Sequence, residues 1–128
     1  MKFSKLYAIA ALSGIIGAVA GAFGGGIIAA SRCDGGLECL GIAFLGVGLG
    51  AILVESCALS LSAHIGNQGR GNLLLTFVPT VILAVPIPIL LLPGFTAVLA
   101  IPLFLFQTWV CVKVQLATTG KRRVRRKT

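Results

Sequence analysis

One acidic residue, Glu55, lies within a long apolar stretch and is the first candidate for chemistry in this sequence. A carboxylate inside a membrane helix costs about 2.5–3.5 kcal/mol on insertion scales, so such a residue usually has a role. The residues three, four and seven positions away are mostly small, which indicates that this face packs against another helix. Two roles follow. Glu55 forms a structural ion pair with Lys113, which we expect at a similar depth, or it carries a proton or a cation. The third alternative is that its side chain only reaches out to the membrane interface.

Two cysteines, Cys33 and Cys39, flank a short loop that also contains Asp34 and Glu38. In an oxidising compartment these two thiols are expected to form a disulfide, and free thiols are the alternative. A metal site is the least favoured interpretation because the loop has no histidine and its spacing matches no standard zinc pattern. We therefore expect neither a metal nor another cofactor.

Basic and polar residues occupy a second loop and the end of the chain. The loop between His64 and Arg70 could bind a phosphate or a lipid headgroup, or it is a plain turn with one basic residue. The cluster at the end is expected to bind anionic lipid and to fix the topology. Because these charges are not spread over one folded face, we do not expect a nucleic acid partner. The residues expected near lipid headgroups are His64, Arg70, Lys121, Arg122, Arg123, Arg125, Arg126 and Lys127.

No pattern typical of an enzyme occurs in the sequence. It lacks a Ser/His/Asp set and a phosphate-binding P-loop, and its single histidine excludes a metal-binding histidine pair. We therefore expect a protein that is not an enzyme.

The composition defines the elements that must position these residues. Of 128 residues, 57% are hydrophobic and 11% are charged, against about 25% charged residues in a soluble domain. These values exclude a soluble enzyme domain, a disordered protein and a disulfide-stapled secreted miniprotein. Since a membrane helix needs about 20 residues, the sequence predicts an all-α integral membrane protein. Its four transmembrane helices cover residues 6–30, 39–63, 73–92 and 95–117, and a basic tail follows at 118–128.

The four helices are expected to form two unlike hairpins. Fifteen of the 17 glycines precede residue 73, and all five prolines lie between residues 79 and 102. Glycines at steps of three and four let two helices approach closely, so helices 1 and 2 should pair as a glycine zipper or build a homo-oligomer. Helices 3 and 4 should be broken by proline and joined by a Pro93-Gly94 turn. The expected packing residues are Gly14, Gly17, Gly21, Gly24, Gly25, Gly46 and Gly50.

The distribution of lysine and arginine predicts the orientation. With four spans, Lys2, Lys5, Arg70 and the basic tail lie on one side, and only Arg32 lies on the other. The positive-inside rule then places both termini in the cytoplasm, and we expect a bacterial inner membrane. Cleavage of the first segment as a signal peptide after Ala20 is the alternative. The apolar stretch continues about ten residues past that site, which favours a membrane span.

Two families share parts of this pattern. Gly17, Gly21, Gly25 and Glu55 resemble the glycine-rich first helix and acidic second helix of rotary ATPase proteolipids, but two proline-rich spans follow here. The run 51–55 is similar to the segment around the membrane glutamate of small multidrug-resistance exporters, whose acid lies on the first helix. Since each resemblance covers less than half of the chain, we assign neither family.

The sequence therefore predicts a small non-enzymatic polytopic membrane protein that acts by helix association. It would be an accessory subunit of a membrane complex or a homo-oligomer, with other membrane subunits or itself as partner and anionic lipid at the tail. The alternative is a proton- or cation-coupled small transporter or channel that uses Glu55.

Overall fold

The chain folds into five α-helices over the residues that the computed structural model describes, 3–91 and 97–125, with side chains at 3–90 and 98–119. These residues contain no β-strand, and the all-α prediction is confirmed. The helices are α1 (Phe3–Ala30), α2 (Leu37–Gly66), α3 (Leu73–Ala84), α4 (Pro86–Leu91) and α5 (Ala97–Arg125).

Four helical segments are long and apolar enough to cross a membrane. They are α1, α2, the combined segment Leu73–Leu90 and the part of α5 over Val98–Thr119. Helices suit this environment because every backbone hydrogen bond closes within the segment. The protein is therefore a multi-pass membrane protein.

Helices α1 and α2 form an antiparallel hairpin in which glycines meet glycines. A Cβ atom added at Gly21 would overlap the carbonyl oxygen of Gly50, and one added at Gly25 would overlap that of Gly46. These positions follow one another at steps of four, which keeps them on one helical face. Gly24 is a correction to the prediction: a Cβ there would meet nothing within 4 Å, because this residue lies about 100° around the helix from Gly25.

Two further glycines extend the contact surface of α1. A Cβ at Gly14 would lie 2.9 Å from Leu59 Cγ and 3.2 Å from Phe104 Cε2, and one at Gly17 would lie 2.9 Å from the carbonyl oxygen of Val54. The hairpin is thus close-packed over its whole length, and α5 also approaches it at Gly14.

Proline divides the third segment into two helices. The side chain of Asn72 caps α3 and accepts hydrogen bonds from the backbone N–H groups of Leu74 (3.1 Å) and Leu75 (3.4 Å). Helix α3 ends at Ala84 and α4 begins at Pro86, whose ring nitrogen cannot donate a hydrogen bond. The predicted Pro93-Gly94 turn lies outside the described residues.

Helix α5 is longer than the predicted fourth span and includes part of the predicted basic tail. It continues to Arg125, so Lys121, Arg122 and Arg123 belong to the same helix as the membrane segment. Arg126 and Lys127 lie outside the described residues.

The apolar core lies where α1, α2 and α5 meet. At one end of the bundle α1 begins and α5 ends; Gly66 of α2 contacts Leu6 of α1 there, so the α2–α3 loop lies at the same end. We call this the termini end, and the opposite end, which carries Cys33 and Cys39, the disulfide end. The core lies in the half nearer to the termini end and comprises Leu6, Ala10, Leu59, Ala63, Cys111 and Val112.

Candidate functional site

Polar side chains from α2, α3 and α5 are buried in the interior of the bundle. Each of them is at most 4% exposed. Burial of polar residues inside a membrane protein costs free energy, so such residues usually pair with other polar groups or have a function. We call this set the polar column, and its members are Glu55, Ser56, Ser60, Thr76, Thr80, Gln107, Thr108 and Gln115.

Glu55 is buried at the meeting point of three helices. It is 4% exposed, and a Cβ added at Gly17 of α1 would lie 3.2 Å from its Cα atom. On the other side, the side chain of Gln107 from α5 lies next to the carboxyl group. The Oε1 atom of Glu55 has no hydrogen-bond partner among residues 3–90 and 98–119. The carboxyl group is thus enclosed by protein, with one oxygen left without a partner.

The expected ion pair between Glu55 and Lys113 is absent, which corrects the structural alternative. Lys113 is exposed, and its Nζ lies 5.4 Å from the ring centroid of Trp109 and 5.5 Å from that of Phe3. These are cation–π distances. Lys113 is six residues beyond Gln107, so it lies about 240° around α5 and about 9 Å further along the axis. The amine therefore points away from Glu55.

Hydrogen bonds connect the middle of the polar column. Gln107 Nε2 donates to the backbone carbonyl of Thr80 at 3.2 Å, and the Thr80 hydroxyl donates to the carbonyl of Thr76 at 2.6 Å. The Thr76 hydroxyl in turn donates to Gln115 Oε1 at 2.6 Å. Polar groups thus follow one another from the level of Glu55 towards the termini end.

Gln115 joins the polar column to the α2–α3 loop. Its Nε2 donates to the backbone carbonyl of Arg70 at 3.0 Å and lies 2.9 Å from His64 Nδ1. One ring nitrogen of His64 is therefore directed into the bundle, although we predicted contact with lipid headgroups for this residue. The side chain of Arg70 is exposed, as such a contact would require. The side chains of the remaining basic cluster, from Lys121 onward, lie outside the described part.

Replacing Gln115 by leucine should destabilise the protein by about 1–2 kcal/mol, because two hydrogen bonds are lost. The loss is limited because the Thr76 hydroxyl keeps the Asn72 carbonyl as an acceptor and the Arg70 carbonyl keeps two other donors. The measurement is reversible unfolding in mixed detergent micelles. Gln68→Leu is the matched control, since Gln68 is exposed in the same loop and should change stability by no more than about 0.5 kcal/mol. Equal losses in the two variants would show that the buried contacts contribute nothing.

Cys33 and Cys39 form a disulfide in the α1–α2 loop, with their Cα atoms 5.6 Å apart. Gly35 and Gly36 between them have φ values of 97° and 107°, which favour glycine and let the short loop turn. Of the alternatives left open by the sequence, the structure has the disulfide. The other two cysteines are free; Cys57 is exposed and Cys111 is buried.

Thiol labelling should count two reactive cysteines in the denatured, unreduced protein and four after reduction, because only Cys57 and Cys111 are free. The measurement is the mass added by a maleimide reagent. Cys33→Ser is the control and should give three labels without reductant. Four labels without reductant in the wild-type chain would contradict the disulfide.

Most of the polar column escaped the sequence analysis, which singled out only Glu55. A signal for it was present: Ser56 and Ser60 are four residues apart, as are Thr76 and Thr80, and Gln115 follows Gln107 after eight. Four-residue spacing places polar residues on one helical face in an otherwise apolar segment. Such spacing indicates a buried polar face in each of three helices.

Comparison of the chain with protein-family models, with curated proteins and with solved structures finds no match. The geometry of the polar column is therefore the basis for the function proposed below.

Proposed function

We propose that the protein is a small, non-enzymatic proton- or cation-coupled transporter or channel, with Glu55 as the group that binds the ion. One observation carries this proposal: the Glu55 side chain is 4% exposed and its Oε1 has no partner among the described residues. Leaving a buried polar group without a partner costs about 1–3 kcal/mol. A purely structural carboxylate would be paired through both oxygens, whereas here Gln107 lies beside the carboxyl group and Oε1 is left free to bind an ion.

The hydrogen-bonded polar column supports the proposal because it supplies polar groups from Glu55 to the termini end. Gln107, Thr80, Thr76 and Gln115 follow in sequence, and His64 lies beside the last of them. An ion that leaves Glu55 in this direction meets oxygen and nitrogen atoms at each helical turn.

The proline junction between α3 and α4 lies on the other side of Glu55. Val85 at this junction keeps helical backbone angles, and its N–H group donates to the carbonyl of Val81, so the backbone is not unwound there. Here α3 ends at Ala84, about one turn beyond Thr80. A Cβ at Gly48 would lie 3.8 Å from Pro88 Cβ, so α4 faces α2 two turns from Glu55.

The test is ion flux in lipid vesicles that contain the purified protein. The protein should dissipate an imposed proton or sodium gradient, and Glu55→Gln should reduce the rate at least tenfold. Glu38→Gln is the matched control because Glu38 is exposed near the disulfide end, and its flux should equal that of the wild type. Fluxes of wild-type protein equal to those of protein-free vesicles, or unaffected by Glu55→Gln, would refute the proposal.

A second proposal is that the protein associates with other subunits or with itself. The surface of the half of the bundle nearer to the disulfide end favours it. Gly24 and Gly41 have open space at their Cβ positions, although they belong to the two close-packed helices. The neighbouring Phe23 is 71% exposed and Leu45 is 67% exposed. Small residues among apolar ones let another helix approach in lipid, which would extend the glycine zipper to a partner. Native mass determination in mild detergent, together with identification of co-purifying chains, tests this proposal.

We also propose a bacterial inner membrane with both termini in the cytoplasm. The disulfide then faces the periplasm, where disulfides persist. The basic end of α5 lies at the inner leaflet, where anionic lipid attracts it.

A further inference from the structure

We propose that Glu55, Ser56, Ser60 and Gln107 form a binding site for a dehydrated monovalent cation of the sodium class. This inference rests on the proposed function and names the ion that Glu55 would bind. Hard cations prefer oxygen ligands, and a carboxylate, two hydroxyls and an amide carbonyl supply only oxygen.

Four oxygen atoms carry the inference. Glu55 Oε1, Ser56 Oγ, Ser60 Oγ and Gln107 Oε1 are buried without a hydrogen-bond partner, and no other side-chain atom within the described ranges shares that condition. The four residues are 4%, 0%, 1% and 0% exposed. Buried polar atoms are satisfied in most proteins, so a group of unsatisfied ones calls for an explanation, and a bound ion is one.

The four residues belong to two facing stretches of α2 and α5. Gln107 lies next to the Glu55 carboxyl group, and Cys111, one turn further along α5, lies beside Ser60. Ser56 and Ser60 are one turn apart on the same face of α2. Glu55 and Ser60 therefore face two consecutive turns of α5, and Ser56 lies between them along α2.

The charge of the site matches a monovalent ion. The only other acidic residues of the chain, Asp34 and Glu38, lie near the disulfide end. The elements that pack around Glu55 present Gly17 from α1, Thr80 from α3 and Gln107 from α5, all of them uncharged. One carboxylate neutralises one positive charge, whereas a divalent ion would leave a buried charge uncompensated.

A bound proton explains fewer of these atoms than a cation does. A proton on Glu55 can engage the carboxyl group and one acceptor. The two serine hydroxyls would then still have no partner. A cation can be coordinated by a carboxylate, two hydroxyls and an amide carbonyl, which accounts for all four unpartnered oxygens.

The experiment is thermal unfolding of the purified full-length protein in detergent, with sodium chloride replaced stepwise by choline chloride at constant ionic strength. Choline is too large for the site. Sodium should raise the unfolding temperature, because each tenfold increase in concentration above the dissociation constant adds about 1.4 kcal/mol to stability. Equal unfolding temperatures in sodium and in choline would overturn the inference.

Three variants separate a site from a general salt effect. Glu55→Gln should abolish the sodium response, and Ser60→Ala should shift its midpoint to at least tenfold higher sodium. Ser62→Ala is the matched control: the Ser62 hydroxyl already pairs with Ser13 at 2.6 Å, so this variant should keep the sodium midpoint. A wild-type midpoint in Ser60→Ala would overturn the inference.

The outcome also separates the inference from the proposed function. No sodium response together with a proton flux that depends on Glu55 would overturn the cation site and leave the transporter standing. Absence of both the sodium response and the flux would overturn both.

Discussion

Replacing Gly21 by valine is expected to destabilise the protein by at least about 3 kcal/mol, the largest loss we expect from one residue. A Cβ at Gly21 would overlap the carbonyl oxygen of Gly50 and would lie 2.8 Å from Val54 Cβ. The carbonyl group of Gly50 is part of the helix backbone and cannot rotate away from the added atoms as a side chain could. Helices α1 and α2 must therefore separate. In lipid no hydrophobic force drives the two helices together, so the hairpin depends on the close approach of their backbones. The measurement is the free energy of unfolding in mixed micelles.

The matched control is Gly24→Val, three residues further along the same helix. A Cβ at Gly24 meets nothing within 4 Å in the same chain, so in micelles that each hold one chain this variant should change stability by no more than about 0.5 kcal/mol. Both variants introduce the same side chain into the same helix. Equal effects would therefore show that helix propensity or lipid contact, and not the contact with Gly50, determines the loss.

Replacing Glu55 by leucine is expected to stabilise the protein by about 1–3 kcal/mol, which is the second large effect. The substitution removes a buried oxygen that has no partner, and that oxygen costs free energy of this size. Breaking a buried ion pair would do the opposite and cost about 3–5 kcal/mol. The sign of the change therefore separates a functional carboxylate from a structural one. The unfolding should be measured in choline buffer, since bound sodium would stabilise the wild type.

A double-mutant cycle with Lys113 completes this test. Lys113→Ala should cost no more than about 1 kcal/mol, because an exposed cation–π contact contributes about that much. The coupling between the two substitutions should be within about 0.5 kcal/mol of zero, as for separate sites. A coupling of 2 kcal/mol or more would contradict the separation of Glu55 and Lys113.

Much of the fold could be predicted from the sequence because a membrane limits the choices. Apolar runs of about 20 residues define the four spans, and Pro86 and Pro88 account for the broken third segment. The contacts of Gly21 and Gly25 follow from steps of four. Gly24 follows Gly21 by three residues, so it points about 60° away from Gly21 around the helix and lies outside the contact with α2.

The candidate site could be predicted only in part. Glu55 stands out in an apolar segment, but depth along the membrane does not tell which way a residue points around its helix. Lys113 matched Glu55 in estimated depth and points elsewhere. The four-residue spacing of Ser56 and Ser60 indicates a polar face, but which helices face each other depends on the packing of all four spans. One sequence does not determine that packing.

The central claim, that Glu55 exchanges an ion inside the bundle, is tested most directly by infrared difference spectroscopy of its carboxyl group. The chain has only three acidic side chains, so Glu55→Gln, with Asp34→Asn and Glu38→Gln as references, assigns the signal. We predict that a change of proton or sodium concentration converts the Glu55 carboxyl between its neutral and charged forms in the folded protein. A Glu55 signal that stays constant under both changes, while the protein remains folded, would contradict the account.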